Sequence, residues 1–506
     1  MPRLSRAIIA LASLFLSAQA HAEWLEAKTS RFTIYGNMST KKMQLFGDRL
    51  ARFDAVLRSL LTLPPAEPGE NNPVTIYVVR DIAAVQRLHG RSGGNIAGYY
   101  DAVASGPYAV MPQTTDDGDF TWQVLFHEYV HHLTLGNSDA YYPGWVAEGL
   151  AEFFGTPDLD RDDSVKIGLP NNVRAASILS GSPMPVAMLV ADRWLPDGPA
   201  VDQKYARGWL LIHYLLLGHK RPGQFKRYMV AANSGMTSLE AAKAVFGDLH
   251  KLDGELNAYR SGKITVAVLP VADLHPEPVT LRRLDPAETA IMPLRIRSAT
   301  GVDVKEAAAL VDPARRIAEA YPDHPWVQRV AAEIDLDAGR DADAEAACDG
   351  ALAVDPRNVD ALIIKGRIHS RRAVAAKAAS PEIWREARSW YLKANRIDPN
   401  YALPFMLFYD SFVAAGQPPT ANAVEGLLRA AKLVPQDDGL RIRVTMAMLA
   451  RGNLPAARQM LRPLAYGPHR GGDNPAAKLL ALLEATSDPN VARAAAAEAG
   501  LKSDPE

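Results

Sequence analysis

This chain contains two histidines four residues apart, followed at a short distance by glutamates. This feature constrains the possible fold of the chain more than any other. The motif is HEYVH at 127–131, and Glu148 follows after sixteen residues, within the segment WVAEGLAE at 145–152. On an α-helix, positions i and i+4 share one face, so His127 and His131 can bind the same metal ion. Zinc takes imidazoles and carboxylates in a tetrahedron, one position of which stays open in catalytic sites. The spacing therefore predicts an active-site helix and a site for one Zn²⁺ ion per chain.

The glutamates around this motif have different predicted roles. Glu128 lies about 100° round the helix from the first histidine, where it can reach a metal-bound water but cannot easily join the histidines as a ligand. Gly and Pro residues in segment 135–144 allow one helix to end and a second to begin. We interpret Glu148 as the third ligand. Glu152, one turn further on the same face, is interpreted as a carboxylate behind the ligands or at the surface.

The combination of HEYVH with WVAEGLAEFF resembles the gluzincin metallopeptidases, a group that includes thermolysin and the zinc aminopeptidases. The resemblance is specific over residues 120–155 and loose over residues 30–260. It is closest to bacterial proteins of the peptidase MA-like group, which join such a domain to tetratricopeptide repeats. It implies an α+β thermolysin-like zincin catalytic domain, to which we assign residues 23–261.

The resemblance also carries over to individual residues. In that group a glutamate beyond the motif, often within an E-G-x-A-E segment, completes the metal site. The resemblance therefore implies His127, His131 and Glu148 as zinc ligands, Glu128 as the general base, and a peptide or protein as the substrate. The gap before Glu148 is slightly shorter than in thermolysin, so Glu152 stays open as the alternative third ligand.

Three short apolar runs before the motif predict strands, at Phe32–Tyr35, Val74–Val79 and Tyr108–Met111, with a helix over 39–62. In gluzincins an edge strand upstream of the active-site helix aligns an extended substrate through its backbone. Tyr108–Met111 is the candidate for that strand, and an ordinary interior strand is the equal alternative.

A strongly apolar helix predicted over 203–219 forms the floor of the second half of this domain. It carries Tyr205, Arg207, His213 and Tyr214, one of which could hydrogen-bond the oxyanion that develops during hydrolysis. We favour Tyr205 for this role and interpret His213 and Tyr214 as core residues with satisfied partners.

The first 22 residues have the pattern of a cleavable signal peptide. Residues 1–6 are basic, residues 7–16 are apolar, and residues 17–22 offer small side chains for cleavage. We therefore expect a periplasmic or secreted protein, and no later apolar run is long enough to span a bilayer after the signal is removed.

The near balance of 56 basic and 57 acidic residues argues against a nucleic-acid partner. A single cysteine, Cys348, excludes an internal disulfide.

Beyond a Pro-rich segment at 262–302, interpreted as a connector with some strand, the chain becomes Ala-rich and periodic. Pro322 and Pro356 are 34 residues apart, which is the period of tetratricopeptide repeats, and a longer interval follows up to Pro399. We predict an all-α tetratricopeptide-type solenoid over 303–485, which can bind a protein partner, and a tail over 486–506. A plain helical bundle is the alternative.

These features predict an exported zinc metallopeptidase that hydrolyses peptide bonds with metal-activated water and a glutamate base. The alternative is an exported scaffold or assembly factor that binds partners through its repeats and has an inactive zinc domain. A zinc hydrolase of a non-peptide bond is a third interpretation, because the ligand set activates water without choosing the bond that is attacked.

Overall fold

The structure is a computed structural model, which describes residues 24–63, 73–90, 96–113, 119–136, 141–159, 163–171, 177, 183–191, 199–377, 380–466 and 474–499. The predicted signal peptide, residues 1–22, and the end of the predicted tail lie outside these ranges. Within the described part, no helix is both long and apolar enough to cross a membrane.

The N-terminal half is built around one mixed β-sheet. Its strands are β1 (Trp24–Lys28), β2 (Phe32–Asn37), β3 (Val74–Val79), β4 (Tyr99–Asp101), β5 (Tyr108–Pro112) and β8 (Thr280–Arg283). Their order in the sheet is β4-β5-β3-β2-β1-β8. β2, β3 and β5 are parallel, whereas β1, β4 and β8 run antiparallel to their neighbours. A two-stranded sheet pairs β6 (Ser164–Ile167) with β7 (Ala267–Pro270).

Nine described helices accompany these strands. They are α1 (Thr40–Leu61), α2 (Ile82–His89), α3 (Asp119–Gly136), α4 (Gly144–Phe154), α5 (Val186–Leu189), α6 (Pro199–Leu217), α7 (Gln224–Asn233), α8 (Ser238–Phe246) and α9 (Leu249–Arg260). Side-chain caps set where several of them begin, because the first N–H groups of a helix have no partner within it. Ser39 accepts a hydrogen bond from the backbone N–H of Lys42 at the start of α1. Asp81 does the same for Ala84 at the start of α2.

Successive side chains of each strand point to opposite sides, so the sheet has two different faces. Ile34 and Ile76 point to the first face, where they are buried in the main core together with side chains of α1, α3, α4 and α6. Tyr35 and Tyr77 point to the second face, where their ring centroids lie 6.0 Å apart. The active-site helix predicted from sequence, α3, therefore lies on the first face.

The predicted strands and the first predicted helix coincide with β2, β3, β5 and α1. One interpretation of Tyr108–Met111 is wrong, because β5 pairs with β3 on one side and with β4 on the other, so it cannot offer a free edge. The edge belongs to β4, which covers only three residues. So short a strand leaves no alternation that could be recognised in the sequence.

Helices α4 and α6 approach each other closely at two glycines. A Cβ atom on Gly149 would lie only 2.9 Å from the carbonyl oxygen of Gly208 and 2.8 Å from Cγ1 of Ile212. The glycine of the E-G-x-A-E segment is therefore required by helix packing. Trp145, at the start of α4, is fully buried and donates a 2.7 Å hydrogen bond to the hydroxyl of Tyr228.

Residues 262–302 differ from the connector that their proline content predicted. They contribute β7 and β8, and β8 pairs with β1, where Glu26 faces Arg282. They also form helix α10 (Pro286–Ala299), whose Met292 and Ile296 are buried on the second face of the sheet. Proline accompanies these elements because it is tolerated at the first position of a helix, which Pro286 occupies, and at strand ends.

The C-terminal half is a tetratricopeptide-like array in which each helix packs mainly on the next. Its helices are α11 (Val304–Ala320), α12 (Pro325–Asp337), α13 (Asp341–Val354), α14 (Val359–Ala375), α15 (Pro381–Ile397), α16 (Ala402–Ala414), α17 (Ala421–Leu433), α18 (Asp438–Ala450), α19 (Leu454–Tyr466), α20 (Pro475–Ala485) and α21 (Pro489–Glu498). Gly339 and Gly416 follow α12 and α16 with φ of 78° and 63°, so the same left-handed turn recurs between paired helices. The longer interval before Pro399 reflects α14 and α15, which have 17 residues each.

The repeats pack against the sheet domain of their own chain. Trp326 of α12 stacks on Tyr35 with the ring centroids 6.5 Å apart. Ala104 from the β4–β5 connection is buried in the core of the repeats. Gln436 donates a 2.9 Å hydrogen bond to the carbonyl oxygen of His132, near the end of the predicted active-site helix. The two halves therefore share contacts around that helix.

Candidate metal centre

Three side chains of the predicted zinc site converge on one point. The Nε2 atoms of His127 and His131 are 3.1 Å apart. Oε2 of Glu148 lies 3.2 Å from the first nitrogen and 3.5 Å from the second. Zinc binds such atoms at about 2.0–2.2 Å, so neighbouring ligands of a regular tetrahedron are about 3.3–3.6 Å apart. The three donor atoms therefore fit a single Zn²⁺ ion and leave one tetrahedral position for a further ligand.

Local structure explains why these atoms meet. The two histidines project from one face of α3 at i and i+4. Pro143 directly precedes α4, and Glu148 falls in the second turn of that helix, where it is only 2% exposed. Since α4 packs closely on α6 at Gly149, backbone packing fixes the position of the neighbouring residue, Glu148.

Glu152 lies on the other side of the His127 ring. Its Oε1 is 3.8 Å from Nδ1 of His127, and its Oε2 accepts a 3.3 Å hydrogen bond from Asn171. The carboxylate thus faces the ring nitrogen that points away from the other two donor atoms, which is where proteins commonly place the group that orients a metal-binding histidine. The arrangement favours Glu148 over Glu152 as the third ligand.

The site is strongly negative around His127. Burial by itself lowers the pKa of this histidine, but the carboxylates of Glu148, Glu128 and Glu152 more than compensate and raise it to about 9. The protein without metal therefore holds a proton here at neutral pH. Any cation at this point, a proton or a metal ion, is stabilised by the same carboxylates.

A cleft of about 220 Å³, called here the zinc-site cleft, opens beside the cluster. His127, Glu128, Glu152, Asn171 and Tyr205 are among its lining residues. The cleft brings the predicted base, Glu128, to the same space as the first histidine ligand.

The structure separates the four oxyanion candidates predicted from sequence. The ring of Tyr205 lies edge-on to that of His127 with the centroids 6.2 Å apart, so it borders the zinc-site cleft. Arg207 pairs with Asp253, His213 with the Tyr259 hydroxyl, and Tyr214 with Glu255, at 2.8, 2.9 and 2.8 Å respectively. These three residues therefore support the fold, as expected for His213 and Tyr214.

Two further contacts hold the active-site helix and carry no recognisable sequence motif. The hydroxyl of Tyr129, inside HEYVH, donates a 2.8 Å hydrogen bond to Asp54 of α1. The hydroxyl of Tyr100 on β4 lies 2.9 Å from Nδ1 of His132. Burial lowers the pKa of His132 to about 4, with Arg58 adding to the effect, so this histidine is neutral. These two residue pairs form only because α3 packs between α1 and β4 in the tertiary structure.

Comparison with known proteins extends the description only slightly. Residues 123–234 match a family described as "Protein of unknown function (DUF1570)", a stretch that contains all three candidate ligands, Glu128 and Tyr205. No curated protein matches the chain.

Among solved structures, the chain is similar to a thermophilic TPR protein of Thermus thermophilus, with 17% identity, a TM-score of 0.31 and coverage of 43% of this chain and 100% of that one. It is also similar to MamA, with 13% identity, a TM-score of 0.27 and coverage of 36% and 95%. A third similar structure is pilF of Pseudomonas aeruginosa, with 18% identity, a TM-score of 0.32 and coverage of 43% and 91%. Likenesses at this level say nothing about the metal centre.

Proposed function

We propose that this protein is a zinc-dependent peptidase of the gluzincin type. The observation that supports the proposal most directly is the tetrahedral spacing of the three donor atoms, 3.1, 3.2 and 3.5 Å, beside an accessible cleft that also contains Glu128. Structural zinc sites use four protein ligands, whereas three ligands and an open position are typical of catalytic sites.

Bound Zn²⁺ supplies Lewis-acid activation of a water molecule and of the scissile carbonyl. Glu128 accepts the proton of the attacking water and delivers it to the leaving amine. Tyr205 borders the same cleft, where its hydroxyl can hydrogen-bond the oxygen on which negative charge develops. Glu152 orients His127 through the ring nitrogen that does not face the cluster.

The substrate class follows from the edge of the sheet. β4 ends the sheet, so the outer backbone groups of this strand are not paired within it. The hydroxyl of Tyr100 on β4 lies 2.9 Å from Nδ1 of His132, one residue beyond the second candidate ligand, so this edge approaches the active-site helix. An extended peptide can pair with such an edge through its backbone, which is the reason to propose a peptide or protein substrate.

The alternative proposal, a scaffold with an inactive zinc domain, needs a free surface on the repeats. Trp326 and the cavity-lining side chains of α12, α14 and α16 face the sheet of their own chain. That surface is consequently less available to an extended partner than in a free solenoid. If the protein is exported, as the predicted signal peptide over residues 1–22 indicates, its substrates lie outside the cytoplasm.

The proposal is tested with the full mature chain. Zinc content is measured by mass spectrometry, and a library of fluorogenic peptides is screened with and without a chelator. We expect chelator-sensitive cleavage that falls by about 10²–10⁴-fold in Glu128→Gln, while zinc content stays stoichiometric. Glu425→Gln is the matched control, because Glu425 is exposed on α17.

Two results would contradict the proposal. Undiminished cleavage by the Glu128→Gln variant would remove Glu128 from the mechanism. Stoichiometric zinc without cleavage of any peptide in the library would favour the scaffold or a different hydrolysed bond.

A further inference from the structure

A second cavity, called here the sheet–repeat cavity, lies between the second face of the sheet and the helices α10, α12, α14 and α16. Its volume is about 470 Å³, which is within the range of small-ligand sites. Asp101 lines it, whereas the preceding residue, Tyr100, points to the active-site helix. Because successive residues of a strand point to opposite faces, the sheet separates this cavity from the zinc-site cleft.

Arg295 presents a positive charge to the cavity, which the carboxylate of Glu333 in the same lining stabilises from a distance. Its guanidinium is held in place over the rings of Trp326 and Tyr35, at 4.8 and 5.4 Å from their centroids. Its one hydrogen bond to a described residue is a long donation of 3.4 Å from Nε to the Tyr77 hydroxyl. No carboxylate of the described residues lies within ion-pair distance. An arginine has five N–H donors, so a bidentate acceptor such as a carboxylate fits here.

Two further buried polar atoms line the cavity. Ser298 and Arg329 both line it and are only 6% and 8% exposed. The Ser298 hydroxyl and Nε of Arg329 have no hydrogen-bond partner in the described part of the chain. Burying a polar group without a hydrogen-bond partner costs free energy. The Ser298 hydroxyl and Nε of Arg329 are therefore both available to bind a polar ligand atom.

The opposite charge is in excess elsewhere in the cavity. Glu333 and Asp360 share Arg329, with Nη1–carboxylate distances of 3.1 and 3.5 Å. Asp337 has only a 3.6 Å contact with Arg367, and burial raises the pKa of Asp337 to about 6. Asp101 adds a further carboxylate to the lining, so the acidic residues outnumber the arginines. A cationic group on the ligand would therefore be stabilised on this side.

Part of the remaining wall is aliphatic. Ile363, Ile364, Leu403 and Leu407, from α14 and α16, are among the lining residues. These side chains suit an aliphatic group rather than a strongly hydrated ion. The cavity thus combines an anion-binding side, a cation-binding side and an apolar wall.

We propose that the sheet–repeat cavity is a binding site for a small zwitterionic peptide, a dipeptide with free termini and an apolar side chain. Its carboxylate binds Arg295 and Ser298, its ammonium group lies towards Asp337, and its side chain packs on the aliphatic wall. This site is additional to the zinc-site cleft, and the proposal does not depend on the peptidase activity.

The test uses isothermal titration calorimetry with leucyl-leucine and the full mature protein carrying Glu128→Gln, so that the dipeptide stays intact. We expect one dipeptide per chain. N-acetyl-leucyl-leucine and leucyl-leucine amide each lack one charge, and each should bind at least about tenfold more weakly, the factor that corresponds to about 1.4 kcal/mol. Inorganic phosphate should neither bind as tightly nor displace the dipeptide.

Variants assign the two ends of the ligand. In Arg295→Gln the preference for leucyl-leucine over its amide should disappear, and in Asp337→Asn the preference over the N-acetyl form should disappear. Arg295→Lys keeps the charge and is the second variant if Arg295→Gln does not fold, as judged by circular dichroism; it should retain part of the preference. Arg80→Gln is the matched control, because the Arg80 side chain is 92% exposed.

Several outcomes would overturn the proposal. These are no binding of leucyl-leucine, binding of either blocked form as tight as that of leucyl-leucine, or full preference for free termini in both cavity variants. Loss of binding in Tyr205→Phe but not in the Arg295 variants would place the dipeptide in the zinc-site cleft. Equally tight binding of phosphate would show a simple anion site.

Discussion

Replacing Gly149 with alanine tests whether helix packing positions the third zinc ligand. The new Cβ would lie 2.8 Å from Ile212 Cγ1, 2.9 Å from the Gly208 oxygen and 3.0 Å from the Gly208 carbonyl carbon. Comfortable separations are about 3.5–4.0 Å, so α4 and α6 must move apart by roughly 0.5 Å or more. Two of the three contacts are backbone atoms, which cannot rotate away.

The magnitude follows from two opposing terms. Overpacking in a core typically costs about 1–3 kcal/mol, and rigid backbone contacts place Gly149→Ala at the upper end. Alanine gains about 1 kcal/mol of helix propensity over glycine. We therefore expect a net loss of about 2 kcal/mol in the free energy of unfolding. Because Glu148 moves with α4, zinc affinity should also fall, on the order of tenfold as for other losses of supporting structure.

The assay is urea unfolding of the zinc-free chain together with a competitive zinc titration. Gly254→Ala is the matched control, since Gly254 is exposed on helix α9 and a Cβ there would meet nothing within 4 Å. The control should gain up to about 1 kcal/mol. Wild-type stability and zinc affinity in Gly149→Ala would refute the reasoning that α4 is positioned by this close approach.

Four further predictions concern the ligand, the oxyanion residue, the domain boundary and pH. Glu148→Ala should lose most of the bound zinc, and Glu152→Ala should weaken binding by about 10–100-fold; the reverse order in a zinc titration would exchange their roles. Tyr205→Phe should lower kcat by about 10²-fold or more with little change in KM, and an unchanged kcat would exclude it from oxyanion stabilisation. A chain ending at residue 262 lacks β8 and α10, so it should unfold at lower urea concentration than the full chain; a folded fragment of equal stability would show that the sheet does not need them. Burial raises the pKa of Asp437 to about 6 from a usual 3.8. The contribution of Asp437 to stability is therefore present below about pH 4 and is lost as pH rises through 6. Asp437→Asn should flatten that part of the pH–stability curve, and an unchanged curve would contradict the burial argument.

The truncation prediction replaces the simpler two-module interpretation of the sequence. Arg282, which lies beyond the expected domain boundary, donates two 2.9 Å hydrogen bonds to Glu26 on β1. Pairing of these strands joins segments about 250 residues apart, and no local pattern in either segment indicates the other. Of the prolines in the expected connector, Pro270 ends β7, Pro286 begins α10 and Pro293 lies inside that helix.

Sequence alone was sufficient where the chemistry depends on a single element or on two adjacent ones. The i, i+4 spacing of His127 and His131 follows from the helical period, and only residues 137–143 lie between α3 and the helix that carries Glu148. The 34-residue period likewise predicted the helical repeats, because each repeat packs on its neighbour in the chain.

Tertiary structure decided what depends on contacts between distant segments. It brought Tyr205, and none of the other three candidates for the oxyanion role, to the zinc-site cleft, and it made β4, not β5, the edge of the sheet. It also packed the repeats against the second face of the sheet. The sheet–repeat cavity, which Arg295 lines, lies between them. The physical reason is that hydrophobic burial is non-directional, so periodicity shows which face of an element is buried but not which distant element covers it.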